Sequence, residues 1–230
     1  AAMTPEQRAA VTEQTARLKQ LQETPDDPAG LAKIPTLTLG DLPRTNKSIP
    51  IAREVVAGVK TFTHALPTNG VIYLDLGFDM SVLPGRLIPY LPIFSRALTQ
   101  TGTSKEDFVS LTQRIGRSTG GVGASRWTST RRNGAGTAAW FFVRGKAVPD
   151  KAGELLAIIH DVITDAQLSN RERIRQMVLE GKAGFESSLA GMGNGIVSQR
   201  LRAQFSESDW FGEQTGGVSE FGASLDVGGI

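Results

Sequence analysis

Two histidines, His64 and His160, are the only imidazoles in 230 residues, and the chain has no cysteine. A zinc ion takes three or four N, S or O ligands, and catalytic sites often gather them from a short helical motif. The two histidines stand 96 positions apart by their numbering, so no local His-x-x-Glu-His pair exists. His160 is followed by Asp161-Val162-Ile163 in an apolar helical run and reads as a helix-face residue. A serine triad would need one of these histidines beside an acid and a nucleophile on a strand-to-helix elbow. Hydrolysis by this segment alone is not expected, and neither catalytic nor metal-ligating residues are assigned. The lack of cysteine excludes disulfides and thiolate nucleophiles and is compatible with a reducing compartment.

Glycine clusters at Thr119–Gly123 (TGGVG) and Gly191–Gly195 (GMGNG) raise the question of phosphate binding. Neither carries the Lys-Ser/Thr of a P-loop, and the second follows a helix where a dinucleotide fingerprint follows a strand. They read instead as a turn into a strand and a helix end. Arg126, Trp127, Arg131, Arg132, Trp140 and Arg144 could stack on single-stranded nucleic acid, but a solvated hairpin with core aromatics explains them better. The formal charge is only +2 (25 Lys and Arg against 23 Asp and Glu), so no nucleic-acid partner is expected. No apolar run is long enough to span a membrane, and no membrane partner is expected.

The residues left with functional character lie on one strand. In Val71–Met80 (VIYLDLGFDM), Ile72, Leu74, Leu76, Phe78 and Met80 alternate with Val71, Tyr73, Asp75, Gly77 and Asp79. Period two places the first set in a core and the second on the opposite face. Tyr73, Asp75 and Asp79 therefore share a face that is solvent, a cavity wall or an interface. The bland reading is that Asp79 caps the following turn and Tyr73 packs on a neighbouring strand.

Around that strand the sequence predicts a polar helix over residues 4–23, with Val11, Leu18 and Leu21 as an incomplete stripe. Pro25, Asp26, Asp27, Pro28 and Gly30 end it. An extended run and short strands follow, with Gly58 and Pro67-Thr68-Asn69-Gly70 as turns, the second predicted to close a hairpin. Helices are expected at Leu87–Leu98, Lys105–Arg117 with a capping start at Ser104 and Asp107, Asp150–Thr164, Arg171–Leu189 and Gly195–Phe205, with one more short helix at the end. Residues 120–130 and 137–147 read as strands paired across Arg131-Arg132-Asn133-Gly134. Met80 and Met177 fit core packing. Strands in hairpin order with interspersed helices give an α+β fold, a largely antiparallel sheet with helices on one face.

The segments ETPDDPAGLAKIPTLTLGDLP, GVIYLDLGFDMSVLPGRLIPYLPIFSRALTQTGT, RIGRSTGGVGAS, VRGKAVPDKAGELLAIIHDVI and NRERIRQMVLEGKAGFESSL together resemble the associated, non-zinc half of M16 metallopeptidases of the presequence-protease type (subfamily C). The likeness runs from about Gln20 to Leu189 and loosens beyond Gly191. It implies a parent enzyme of two bowls joined by a helical hinge, with zinc in the first bowl on an inverted His-x-x-Glu-His helix. The second bowl supplies chamber wall and contacts to unstructured peptides. Residues 1–24 would then be the end of the hinge linker, 25–49 an extended strap and 50–230 the M16-like associated domain. No cofactor is implied for this segment, zinc is implied for the parent, and the expected partners are the catalytic half, a C-terminal domain and the peptide substrate. A bacterial cytoplasm or an organelle matrix is the expected setting. A stand-alone peptide-binding or scaffold module with a degenerate peptidase fold is the other reading of the same residues.

Overall fold

The computed structural model describes residues 3–132 and 136–228. The chain divides between Leu66 and Pro67 into two compact units.

The first unit opens with α1 (Pro5–Glu23). Thr4 and Gln7 form a reciprocal capping box: the Thr4 N–H donates to Gln7 Oε1 at 2.9 Å and the Gln7 N–H to Thr4 Oγ1 at 3.3 Å. Pro5 takes the first helical position, where its missing N–H costs nothing. No residue of α1 is buried; Val11, Leu18 and Leu21 are all exposed. After Pro25, Asp27 caps the single turn α2 (Pro28–Leu31). β1 (Ala52–Val56) and β2 (Val59–Thr63) then form an antiparallel hairpin with Val56 opposite Val59. Its two-residue turn, Ala57-Gly58, has both φ angles positive (50° and 81°), the twist that matches paired strands.

The second unit is α+β. Its sheet has the order β3-β5-β4, all antiparallel, from β3 (Ile72–Asp79), β4 (Val122–Thr130) and β5 (Thr137–Ala147). Between β3 and β4 come α3 (Leu91–Gln100) and α4 (Phe108–Ser118). After β5 come α5 (Ala152–Thr164), α6 (Arg171–Arg202), α7 (Glu207–Gln214) and α8 (Val218–Gly228). The core lies between one sheet face and the helices: Leu111, Val143, Leu155, Ile158 and Val162 are at most 1% exposed. Met80 and Met177 are buried, Met177 in a second cluster with Ile93, Ala97 and Val178. At Gly145 the helix layer touches the strand so closely that a Cβ would meet Leu155 Cδ1 at 2.5 Å.

Several boundaries differ from the sequence expectation. Asn69-Gly70 does turn, with φ of 51° and 77° and the Val71 N–H on Thr68 O at 3.1 Å, but β2 pairs β1 and β3 pairs β5. Pro67, which lacks the ladder N–H, interrupts the run, and the hairpin is made one strand earlier. The expected turn residues Asn133 and Gly134 lie outside the described residues; the strands they were to join do pair. The helix expected at Lys105 starts at Phe108, with Asp107 as its cap, accepting from the Ser110 N–H at 2.8 Å. Ser104 instead donates its hydroxyl to Asp165 at 2.6 Å, because a turn at Gly102 (φ 80°) and the Thr103–Ala166 bridge occupy this stretch. The segment from Leu87 begins as a 3-10 turn (Gly85–Tyr90) and becomes α3 only at Leu91, with Pro89 inside the tighter turn and Pro92 in the first turn of the helix.

The helix expected to end near Leu189 runs on to Arg202, through the glycines of 191–195. Each helical glycine costs roughly 1 kcal/mol relative to alanine, so packing must hold the helix together. Phe185 stacks on Phe221 at 4.3 Å, Gln199 donates to Gly212 O at 2.9 Å, and Arg200 meets Glu213 at 3.0 Å. These contacts from α7 and α8 flank the glycine run.

Leu111→Ala should lower stability by about 2–5 kcal/mol in urea denaturation of the chain. The helix layer also carries an ionic tie. Arg114 Nη1 lies 2.6 Å from Glu106 and 2.9 Å from Asp161, whose side chain is 12% exposed. The Arg114 hydrogen bond holds the Asp161 carboxyl below the usual aspartate range. Because the folded-state value is depressed, this stabilisation is present above the ordinary aspartate range and is lost as pH falls through the folded value. Asp161→Asn should therefore cost about 1.5–3 kcal/mol at neutral pH and flatten the acid limb of a pH–stability curve.

Candidate functional site

The sheet has a covered face and an open one. Register places Tyr73 opposite Lys146, Asp75 opposite Arg144, Gly77 opposite Phe142 and Asp79 opposite Trp140. On the far side of β5, Ser125 is opposite Phe142 and Trp127 opposite Trp140. Period two therefore collects Tyr73, Asp75, Asp79, Trp127, Trp140 and Phe142 on the face away from the helices. Tyr73 is 62% exposed and Trp127 48%. Trp140 and Phe142 stack with centroids 6.3 Å apart and lie over Gly77, where a Cβ would meet Phe142 at 2.9 Å and Trp140 at 3.2 Å. The missing side chain at Gly77 is what lets the two rings fold flat across the strand.

The two acids of this face have different partners. Asp75 Oδ2 lies 3.2 Å from Arg144 Nε, and the Arg144 guanidinium sits 4.5 Å from the Phe142 ring centroid. Asp79 accepts from the Ser81 N–H at 2.9 Å and caps the 3-10 turn Met80–Val82. That backbone hydrogen bond, helped by the charge of Arg131, holds the Asp79 carboxyl below the ordinary aspartate range. Four residues apart on one strand, the carboxylates are separated by about 13 Å. They cannot share a proton or a metal ion between them.

The other sequence candidates disperse. His64 Nδ1 contacts Pro50 O at 2.9 Å, and His160, 73% exposed at its side chain, lies 3.6 Å from its neighbour Asp161. Among the described residues no three His, Asp or Glu side chains converge as metal ligands. Gly116-Arg117-Ser118-Thr119-Gly120 has Gly-x-Ser-x-Gly spacing, which sequence reading passed over. Ser118 is buried at the end of α4, a helix terminus and not the strand-to-helix elbow that exposes a nucleophile. Gly121 turns into β4 with φ 118°. The arginine group splits: Arg126 points to the helix side, donating to Thr215 O at 3.2 Å, while Trp127, Trp140 and Arg144 share the open face. Trp140 and Phe142 were missed as face residues because Trp140-Phe141-Phe142 blurs the alternation; the antiparallel register to β3 recovers it.

The sequence model of the family described as peptidase M16 (subfamily C) associated matches residues 1–223. The chain belongs to this peptidase-associated family. It is 36% identical over 219 residues to presequence protease 1, chloroplastic/mitochondrial, of Arabidopsis thaliana, covering 95% of this chain and 20% of that protein. It is 25% identical to protein HypA of Clostridium perfringens (92% of this chain, 22% of that protein). It is 26% identical to the mitochondrial presequence protease of Schizosaccharomyces pombe (95% and 22%). The peptidase-associated chain thus spans about a fifth of the length of these curated relatives. No described helix is long and apolar enough to cross a membrane.

Since the Asp79 value is depressed in the folded state, its cap is intact above the ordinary aspartate range and is lost as pH falls through the folded value. In an NMR titration the Ser81 amide should shift with a midpoint below that of a free aspartate. Asp79→Asn should abolish the transition, and an unshifted midpoint would refute the cap.

Proposed function

We propose that this chain is a non-catalytic part of a larger zinc-dependent M16 endopeptidase that degrades short unstructured peptides. The observation that carries the reading is the family match over residues 1–223, in a chain that spans about a fifth of relatives named presequence proteases. In this reading residues 1–24 end a helical hinge, 25–49 form a strap and 50–230 form the associated domain of the peptidolytic chamber. The open sheet face, with Tyr73, Asp75 and Asp79 among its aromatic neighbours, is chamber wall. It meets substrate through stacking and hydrogen bonding while cleavage proceeds elsewhere. An organelle matrix or a bacterial cytoplasm suits such an enzyme.

The residues present do not fit a zinc site. His64 is engaged with a backbone carbonyl, His160 stands at the surface, and the described residues supply no third ligand. In this reading the zinc of the parent is held by residues outside this chain, and no step of hydrolysis is assigned to this segment.

The deciding measurement is zinc per chain and peptide cleavage in the full-length product of the same reading frame, beside the 230-residue chain. The expected result is about one zinc and cleavage in the former, neither in the latter. A full-length product without zinc or cleavage would make the chain a peptide-binding or scaffold module. Asp75 already holds Arg144 and Asp79 its cap, so their pull on basic peptides is a long-range field that salt screens. Asp75→Asn with Asp79→Asn in the full enzyme should lower kcat/KM for basic peptides relative to neutral ones, more at low salt than at high salt. An unchanged ratio would remove these acids from substrate selection.

A further inference from the structure

β3 is an edge. β5 pairs one side of it, and among the described residues no strand pairs the other. Exposed edges are normally guarded by lysine, proline, a bulge or a covering element. Ile72–Asp79 has no lysine, arginine or proline and pairs β5 residue for residue without a bulge.

At the Phe78–Asp79 end of this edge the layer between sheet and helices stands open. A groove of about 490 Å³ is bounded on the sheet side by Phe78, Phe141 and Val143 and on the helical side by Leu87, Tyr90 and Phe94. Val82, 80% exposed, stands at its rim with Phe78, 46% exposed. This is the layer that would receive the inward side chains of a strand added to β3, since alternate residues of that strand would point to the helix side. Its other residues would point to the open face, where the only charged side chains of β3 are Asp75 and Asp79. Directly opposed residues of paired strands have Cβ atoms about 4.5–5.5 Å apart, within reach of a lysine or arginine.

We propose that the β3 edge and its groove bind an extended peptide strand in which apolar residues alternate with lysine or arginine. The peptide backbone completes the ladder, the apolar side chains fill the groove, and the basic side chains face Asp75 and Asp79. The proposal deepens the peptide-chamber reading and rests on it for the origin of the peptide, but binding is separable from cleavage. Arg144 already shares Asp75 and Arg131 acts on Asp79, so charge sets preference while the groove sets most of the affinity.

The test is fluorescence anisotropy of the 230-residue chain with labelled synthetic peptides matched in length to β3, one alternating valine with lysine and one valine with glutamate. The lysine peptide should bind about two- to tenfold more tightly than the glutamate peptide, and the backbone amides of β3 should gain exchange protection. Val82→Lys, at an exposed rim position, and Phe78→Lys should each weaken binding by about tenfold. Val82→Lys keeps the test valid if Phe78→Lys misfolds. Equal binding of both peptides with no effect of Val82→Lys would overturn the proposal. So would sedimentation as a dimer that Val82→Lys dissociates and that peptide does not displace, which would assign the edge to a second copy. A full-length product lacking zinc and cleavage would refute the peptidase reading without touching this result, and failed peptide binding would leave that reading standing.

Discussion

The contact of α5 with β5 at Gly145 governs the rest of the second unit. Leu155 fills the space where a Cβ would stand, with Ile159 and Val122 beside it. The helices of this unit pack on the face of Leu74, Leu76 and Val143, and Tyr73, Asp75 and Asp79 lie on the face opposite. Its exposure follows from where the apolar residues went. Burial of roughly 25 cal/mol per Å² of apolar surface favours the covered side; the open side holds its aromatics flat, two of them across Gly77.

The polar groups of this unit follow the same division. On the helix side they are tied in: Arg114 bridges Glu106 and Asp161, and Arg173 donates to Gln100 O at 2.9 Å while its guanidinium lies 4.2 Å from the Phe108 ring centroid. Arg126, half-buried, donates to Thr215 O, and burial pulls its guanidinium below the ordinary arginine value. Nearby Glu220 is pushed up by burial, against the opposing pull of Ser224 and of Arg126 and Arg96. On the open side the ionic contacts are half-exposed, as in Asp75 with Arg144, and such pairs contribute at most about 1 kcal/mol. Stability therefore resides in the helix layer, and the open face can change partners at little cost to the fold.

What the sequence disclosed follows from the length scale of each signal. The alternation in Val71–Met80 is local, and so are the apolar stripes of α4 and α5, so the strand, the helices and the α+β class could be read directly. The capping box at Thr4 and Gln7 is equally local. The glycines of 191–195 were misread because propensity there is outweighed by α7 and α8, which come later in the chain and touch α6 only once folded. Ser104 looked like a cap because its competing partner, Asp165, lies 61 residues away. The placement of Trp140 and Phe142 beside Asp75 and Asp79 depended on β3–β5 register, which no short window contains. Tyr73, Asp75 and Asp79 could be set on one face from sequence, but the guanidinium beside Asp75 and the amide capped by Asp79 could not.

This separation bears on what kind of site the chain can hold. Catalysis needs reacting groups within hydrogen-bond reach, about 2.6–3.2 Å, and a strand face spaces its side chains too widely for that unless neighbouring strands supply the partners. Here the neighbours supply aromatic rings and a guanidinium that is already engaged. The same spacing suits recognition of an extended chain, which repeats at the strand period and needs contacts every second residue. The open face and the edge share that period along β3, and the apolar groove meets the strand at its Phe78–Asp79 end. A peptide recognised there would be read by alternation of its side chains.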